Sequence, residues 1–310
     1  MAAGYIFNSG KSAVLKSSRS MRNITKVRKI DLHMHTLISD GTDSPSEILA
    51  YVKDAGIDLF SVTDHDALEA AEVINKIRQE DDPLFISGVE FSCKDNLGKY
   101  HILGYGYDAE AASMKTLVAK GHAMRLEKLR LRLEILKKDF GIDFSEEDIN
   151  GLYANNNPGK PHIANLMLKY NYAGNKDEAF SKFLNKAKIP NVYVLPGEAI
   201  DAILESGGIP ILAHPSYGSG DEFIIGDEME DRLKRLIEMG IRGVEGYYSH
   251  FTPEMQAEIL SLAEKYGLYV TAGSDYHGGN KPVRIGQTNL EDAMQAHKGL
   301  RRFLDEVPLR

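Results

Sequence analysis

Along the chain, short apolar runs rich in β-branched residues alternate with stretches whose apolar positions recur every three or four residues. The runs lie at 29–34 and in "IDLFSVT", "LFISGVE", "YHILGYGY", "GIPILAHP", "IRGVEGYY" and "LYVTAGSDYH". Near-continuous apolar strands separated by helical patterns predict a parallel α/β sheet, with helices near 67–79, 227–239 and 253–266. The stretch "SPSEILAYVKDAG" carries its own helix signals. Ser44 can cap, Pro45 takes the first helical position, Glu47 completes a capping box and Gly56 stops the helix. Seven strands suggest a barrel, and an open sheet is the alternative.

The alternation breaks between 109 and 190, where the pattern is almost wholly helical. "AASMKTLVAKGHAMRLEKLRLRLEILKKDFG" repeats leucines at helical spacing, including Leu126, Leu129, Leu133 and Leu136. Shorter helices are predicted near 145–152, 161–170 and 176–186. The chain therefore divides into an extension over 1–26, an α/β domain over 27–108 and 191–310, and an inserted helical subdomain over 109–190.

Composition narrows the classes. A net charge of −8 over 310 residues argues against a broad grip on long nucleic acid and leaves room for a small phosphorylated substrate. The apolar runs are too short for a transmembrane helix, and the N-terminus has no apolar block followed by a cleavage site. The single cysteine, Cys93, excludes an internal disulfide framework and a thiolate-built zinc site. The expectation is a cytoplasmic protein with no membrane partner.

Chemistry gathers at the strand ends. In "KIDLHMHTLISDGTDSPSEI", His33 and His35 stand two apart on a strand and so share a face, with Asp40 just beyond. Asp64 and His65 follow in "SVTDHD", Glu90 in "ISGVEFS", His101 in "KYHILGY", His214 in "ILAHPS", and Asp275 with His277 in "GSDYH". Singly, each has an ordinary alternative: a core histidine, a turn former before Pro215, a helix cap. Together those alternatives would bury several charges and imidazoles without partners. A metal cluster satisfies them all at once. Imidazole and carboxylate donors without thiolate suit manganese, iron or zinc.

"DLHMHTLISDGTDSP", "VTDHD", "GVEFS", "HILGYG", "LAHP" and "GSDYHG" resemble, in order, the motifs of the polymerase and histidinol phosphatase (PHP) family of metallophosphoesterases. "GKPHIANLML", "AFSKFL" and "ILESGGIPILAHP" are similar to its branch of nucleoside-monophosphate and 3′,5′-bisphosphate phosphatases. The resemblance implies a distorted seven-stranded (β/α) barrel with two or three divalent metal ions. His33, His35, Glu90 and Asp275 would hold the first, and Glu90 would bridge to a second held by His101 and His214. Asp40, His65 and His277 would surround a third, Asp40 standing where some members have His. Asp64 is expected to orient a ligand imidazole. Lys160 and His162 match a phosphate-binding segment that often carries Arg before the Pro. Arg125 is a further substrate candidate, its alternative being a solvated charge on the helix face.

The implied reaction is hydrolysis of a phosphomonoester by metal-activated hydroxide, with His277 or Asp275 protonating the leaving oxygen. The expected substrate is a nucleoside monophosphate, a 3′,5′-bisphosphate or the 5′ end of a short oligonucleotide. The alternatives are histidinol phosphate or another small phosphomonoester, and a non-catalytic metal-stabilised module attached to a polymerase.

Overall fold

The computed structural model describes residues 26–309 apart from 156, 191 and 219–221. The expected extension, save its last residue, lies outside them. Strands β1 (Ile30–Asp31), β2 (Leu59–Phe60) and β3 (Leu84–Phe85) form a parallel sheet. A second sheet runs in the order β4 (Gly88–Lys94), β5 (Lys99–Tyr105), β6 (Ile209–Leu212), β7 (Gly243–Tyr248), β8 (Tyr269–Gly273).

The class is α/β, as expected, but the strands depart from a uniform parallel set. "LFISGVE" is split between β3 and β4, and β4–β5 and β5–β6 pair antiparallel. Only residues 95–98 separate β4 from β5. So short a connection makes a hairpin, since a parallel pair needs a crossover of a dozen residues or more. The described strands thus lie in two sheets, of three and five, in place of one seven-stranded set. Both seams carry backbone hydrogen bonds. Leu32 donates to Ala272 (2.9 Å) and Asp275 to His33 (2.8 Å) at one, and Asp66 donates to Glu90 (2.9 Å) at the other.

Helix α1 (Pro45–Asp54) begins as its sequence dictates, with Ser44 and Glu47 forming the reciprocal capping box and Pro45 in the first turn. Helix α2 (Glu69–Ile77) packs with α1 under the first sheet, around Ile48, Val52, Phe60 and Ile74. The break in alternation holds α3 (Ala112–Phe140), α4 (Glu146–Ala154), α5 (Lys160–Lys169) and α6 (Lys176–Ala179), the last continuing as a π-turn over Phe180–Leu184. These helices share their own apolar cluster, among it Leu129, Leu136, Ile163, Met167 and Leu184. Helices α7 (Pro196–Glu205), α8 (Gly226–Glu238), α9 (Pro253–Tyr266) and α10 (Lys298–Glu306) complete the set; α7 and α10 were not expected from periodicity. The main core lies between the second sheet and α7–α10, with Ile203, Leu233, Ile259 and Phe303 among its residues. No helix among the described residues is long and apolar enough to cross a membrane.

Candidate metal centre

The chain leaving β1 alternates sides as a strand does. Leu32 and Met34 enter apolar clusters, while His33 and His35 turn to the other side, all four fully buried. The two Nε2 atoms stand 3.2 Å apart. Both face Glu90, at 3.4 Å from His33 and 3.2 Å from His35, and both face Asp275 Oδ1, at 3.5 and 3.4 Å. Glu90 lies mid-strand on β4 and also meets His101 (2.9 Å), His65 (3.1 Å) and His214 (3.3 Å). Asp40 closes the far side, 3.3 Å from His277 and 3.7 Å from His35.

All nine candidate ligands therefore converge. Their grouping differs in detail from the implied one: His65 also sits with Glu90 and His101, His35 with Asp40 and His277, and His214 with His33 and Asp275. The residues fit metal ions. The Nδ1 atoms of His65 and His101 are buried close to Glu90 yet make no hydrogen bond to it. Lone pairs so placed suit an ion shared between them, and the N/O donor set suits manganese, iron or zinc.

Electrostatics describe the same site without ions. Burial works against charge on Glu90, but the surrounding imidazoles, His101 and His65 first, hold its carboxyl well below the usual range. Asp275 is held low in the same way against burial, by Lys281, His33 and His277. His214 (φ 25°) and Asp275 (φ 58°) both occupy the left-handed region, where non-glycine residues are strained.

Supporting residues escaped the sequence reading. Glu245, fully buried on β7, takes the Nδ1 side of His33 at 3.0 Å and accepts the backbone N–H of His214 at 2.8 Å. The bond keeps the Nδ1 proton of His33 and leaves Nε2 with a lone pair facing the cluster. Its only signal was an acid within the apolar run "IRGVEGYY". Tyr248 Oη (2.8 Å) and Lys281 Nζ (2.5 Å) both hold Asp275 Oδ2. Buried Asp31, pushed up to about 6 by desolvation, accepts backbone N–H groups of Ser274 (3.0 Å) and Gly286 (2.7 Å).

Asp64 touches no imidazole. It accepts from Thr36 N–H (2.8 Å), Thr36 Oγ1 (2.7 Å) and Ser39 Oγ (2.5 Å), and Ser39 Oγ is 3.4 Å from His35 Nδ1. Asp64 therefore reaches the His35 imidazole through Ser39.

The cluster forms the floor of a cavity of about 600 Å³, walled by Arg125 and Lys160 from the helical stretch and by Tyr193, Tyr217 and His250. Arg125 is not a solvated charge. It is buried, 2.5 Å from Asp66 Oδ2 and 2.9 Å from Ser92 Oγ. Lys160 Nζ donates to Asn185 Oδ1 (2.8 Å) at the cavity wall. His162 lies outside the lining; its Nδ1 accepts the Gly159 N–H (3.0 Å) and caps α5.

An α/β fold with a buried imidazole–carboxylate centre on its strands and the loops that leave them, open to a cationic cavity, defines a metal-dependent hydrolase. Comparison with known proteins supplies the family: the PHP domain matches residues 31–194, and the chain belongs to it. It is 28% identical over 258 residues to the phosphoribosyl 1,2-cyclic phosphate 1,2-diphosphodiesterase of Eggerthella lenta, covering 80% of this chain and 94% of that one. It is 25% identical over 276 residues to the 3′,5′-nucleoside bisphosphate phosphatase of Chromobacterium violaceum, covering 84% and 91%. A provisionally assigned metal-dependent phosphoesterase from Bifidobacterium adolescentis superposes with a TM-score of 0.74 at 27% identity, covering 89% of this chain and 95% of that structure.

Proposed function

We propose that this chain hydrolyses a phosphomonoester of a small nucleotide: a nucleoside monophosphate, a 3′,5′-bisphosphate or the 5′ end of a short oligonucleotide. The carrying observation is the convergence of nine imidazole and carboxylate donors beneath a cavity whose wall bears cations from the helical stretch. Divalent ions bound there supply a nucleophile by acidifying water near neutral pH and withdraw charge from the phosphoryl oxygens. Glu90, facing five imidazoles, would contribute to two ion positions. Asp40, His65 and His277, with His35 beside them, would hold a third.

His277 and Asp275 act in metal binding, not as proton donors to the leaving oxygen. The Nδ1–H of His277 is spent on the Asp275 carbonyl (2.8 Å), leaving Nε2 with a lone pair, and Asp275 is held ionised. Residues 109–190 form the inserted subdomain that reads the nucleoside, a reading supported by their separate apolar cluster. We read the two sheets, joined at both seams, as one distorted barrel.

The test is manganese-supplemented phosphate release from 3′,5′-bisphosphoadenosine, AMP and histidinol phosphate, with His35→Ala as control. Release from the nucleotides that falls at least a hundredfold in the control supports the reading. Preference for histidinol phosphate overturns the nucleotide assignment, and silence on all three sinks the catalytic one.

A further inference from the structure

A second cavity, of about 780 Å³, lies between α2 and the N-terminal turns of α3 and shares no lining residue with the first. Its size is that of a small-molecule site. Two residues of its wall, Asp66 and Asn157, are only 3 and 1% exposed, and each divides its side chain. Asp66 Oδ2 holds Arg125 of the first cavity, and Asn157 Nδ2 donates to the backbone carbonyl of His65. The other oxygen of each, Oδ1, is buried and has no hydrogen-bond partner among the described residues. A buried acceptor left unpaired is costly, and two in one wall point to a donor from outside the chain.

The rim carries the same sign. Five carboxylates line the cavity, against two lysines and the imidazole of His122. Glu72 is paired with Lys76 and Glu110 with Lys115, but the exposed Glu69 and Asp108 meet no cation among the described residues. Each accepts a backbone N–H, from Leu68 and Glu110, at 3.0 Å. Half-buried Leu68 and Val118 add apolar surface to the wall. Unpaired acceptors in the buried part, unpaired carboxylates at the exposed part and apolar surface suit ammonium groups joined by methylenes. An anion would meet only repulsion from the carboxylates.

We propose that this cavity binds a linear aliphatic diamine or polyamine. One ammonium takes Asp66 Oδ1 and Asn157 Oδ1, and a second meets Glu69 and Asp108. The terminal torsions of Asp and Asn are broad, so both oxygens can turn toward the ligand without leaving their partners. The same two side chains brace Arg125 and the His65 backbone, so an occupant bears on the metal centre. It steadies the segment that presents His65 and should tighten metal binding. The inference does not depend on which phosphate ester is hydrolysed.

The experiment is calorimetric titration of manganese-loaded enzyme with spermidine, and with butylamine as the single-ammonium control. Salt at about 0.15 M screens general attraction to the acidic surface. Wild type should bind one spermidine saturably, and butylamine at least tenfold more weakly. Glu69→Gln combined with Asp108→Asn keeps both backbone bonds and should weaken spermidine about tenfold, the scale of losing a charge-assisted hydrogen bond. Ala119→Trp, at an exposed position of the wall, fills the cavity without changing the charge and should abolish binding. Spermidine should also lower the dissociation constant of manganese for chelator-treated wild type about fivefold, with no effect in Ala119→Trp.

No binding by wild type overturns the site. So does undiminished affinity in either variant, which would show attraction to the acidic surface alone. Binding that leaves manganese affinity unchanged overturns the link to the metal centre.

Discussion

Each imidazole of the centre has two nitrogens, and at His33 and His277 the protein commits Nδ1 so that Nε2 can bind. For His33 the commitment is made by Glu245, whose second oxygen also anchors the His214 backbone across the site. Replacing that carboxylate by an amide keeps the shape and removes the charge that fixes the ring. Glu245→Gln should therefore fold normally yet weaken manganese binding by roughly 10–100-fold, with activity falling in step, the usual size of such an effect. Calorimetric titration of manganese measures it. An affinity within twofold of wild type would show that His33 is oriented by packing alone.

At the level of elements, the site depends on how closely β8 approaches the chain leaving β1. Gly273 ends β8, and a Cβ there would overlap His33 Cβ and Glu245 Oε1. Backbone bonds on either side, from Leu32 to Ala272 and from Asp275 to His33, prevent the strands from separating to make room. Gly273→Ala should cost about 1–3 kcal/mol by overpacking. A lowered melting temperature together with reduced bound metal is the expected result. Full metal content at wild-type stability would mean that the seam gives way without displacing His33. Helix α3 shows the complementary use of glycine, since Gly121 lets it lie against Asp66, where a Cβ would come within 3.0 Å.

For the whole molecule, the ligand cluster makes stability depend on metal and on pH together. Without ions, burial opposes charge on His35, but hydrogen bonds to Asp275 and Glu90 outweigh it and lift its pKa to about 9. His33 is raised as well, by Glu245, Glu90 and Asp275 against burial. A folded pKa above the unfolded value of about 6.5 means that the proton stabilises the native state below that pH, and this contribution is lost as pH rises towards 9. His65, His101 and His277 are shifted down, by burial first, so their effect falls below pH 6.5. Chelator-treated protein should therefore melt at progressively lower temperature between about pH 6.5 and 9. With manganese at a hundred times its dissociation constant, stability should rise by about 2.7 kcal/mol, and the decline should flatten because ions replace protons. Parallel melting curves with and without metal across that range would refute the linkage.

The sequence by itself determined whatever is local. The capping box at Ser44, the alternation that puts His33 and His35 on one side, and the carboxylates and imidazoles at strand ends all follow from spacing within a few residues. The ordered motifs were legible for the same reason, and so was the family. Tertiary structure alone decided which partners meet. Periodicity favoured the leucines of α3 as its buried face, yet Leu126 and Leu133 are only half-buried while Arg125, Lys128 and Arg132 face the cavity. The antiparallel turn of β4–β6 and the supporting roles of Glu245 and Asp31 were equally hidden. The energy of a buried charge depends on what lies opposite it, and those neighbours come from strands and helices far away in the chain.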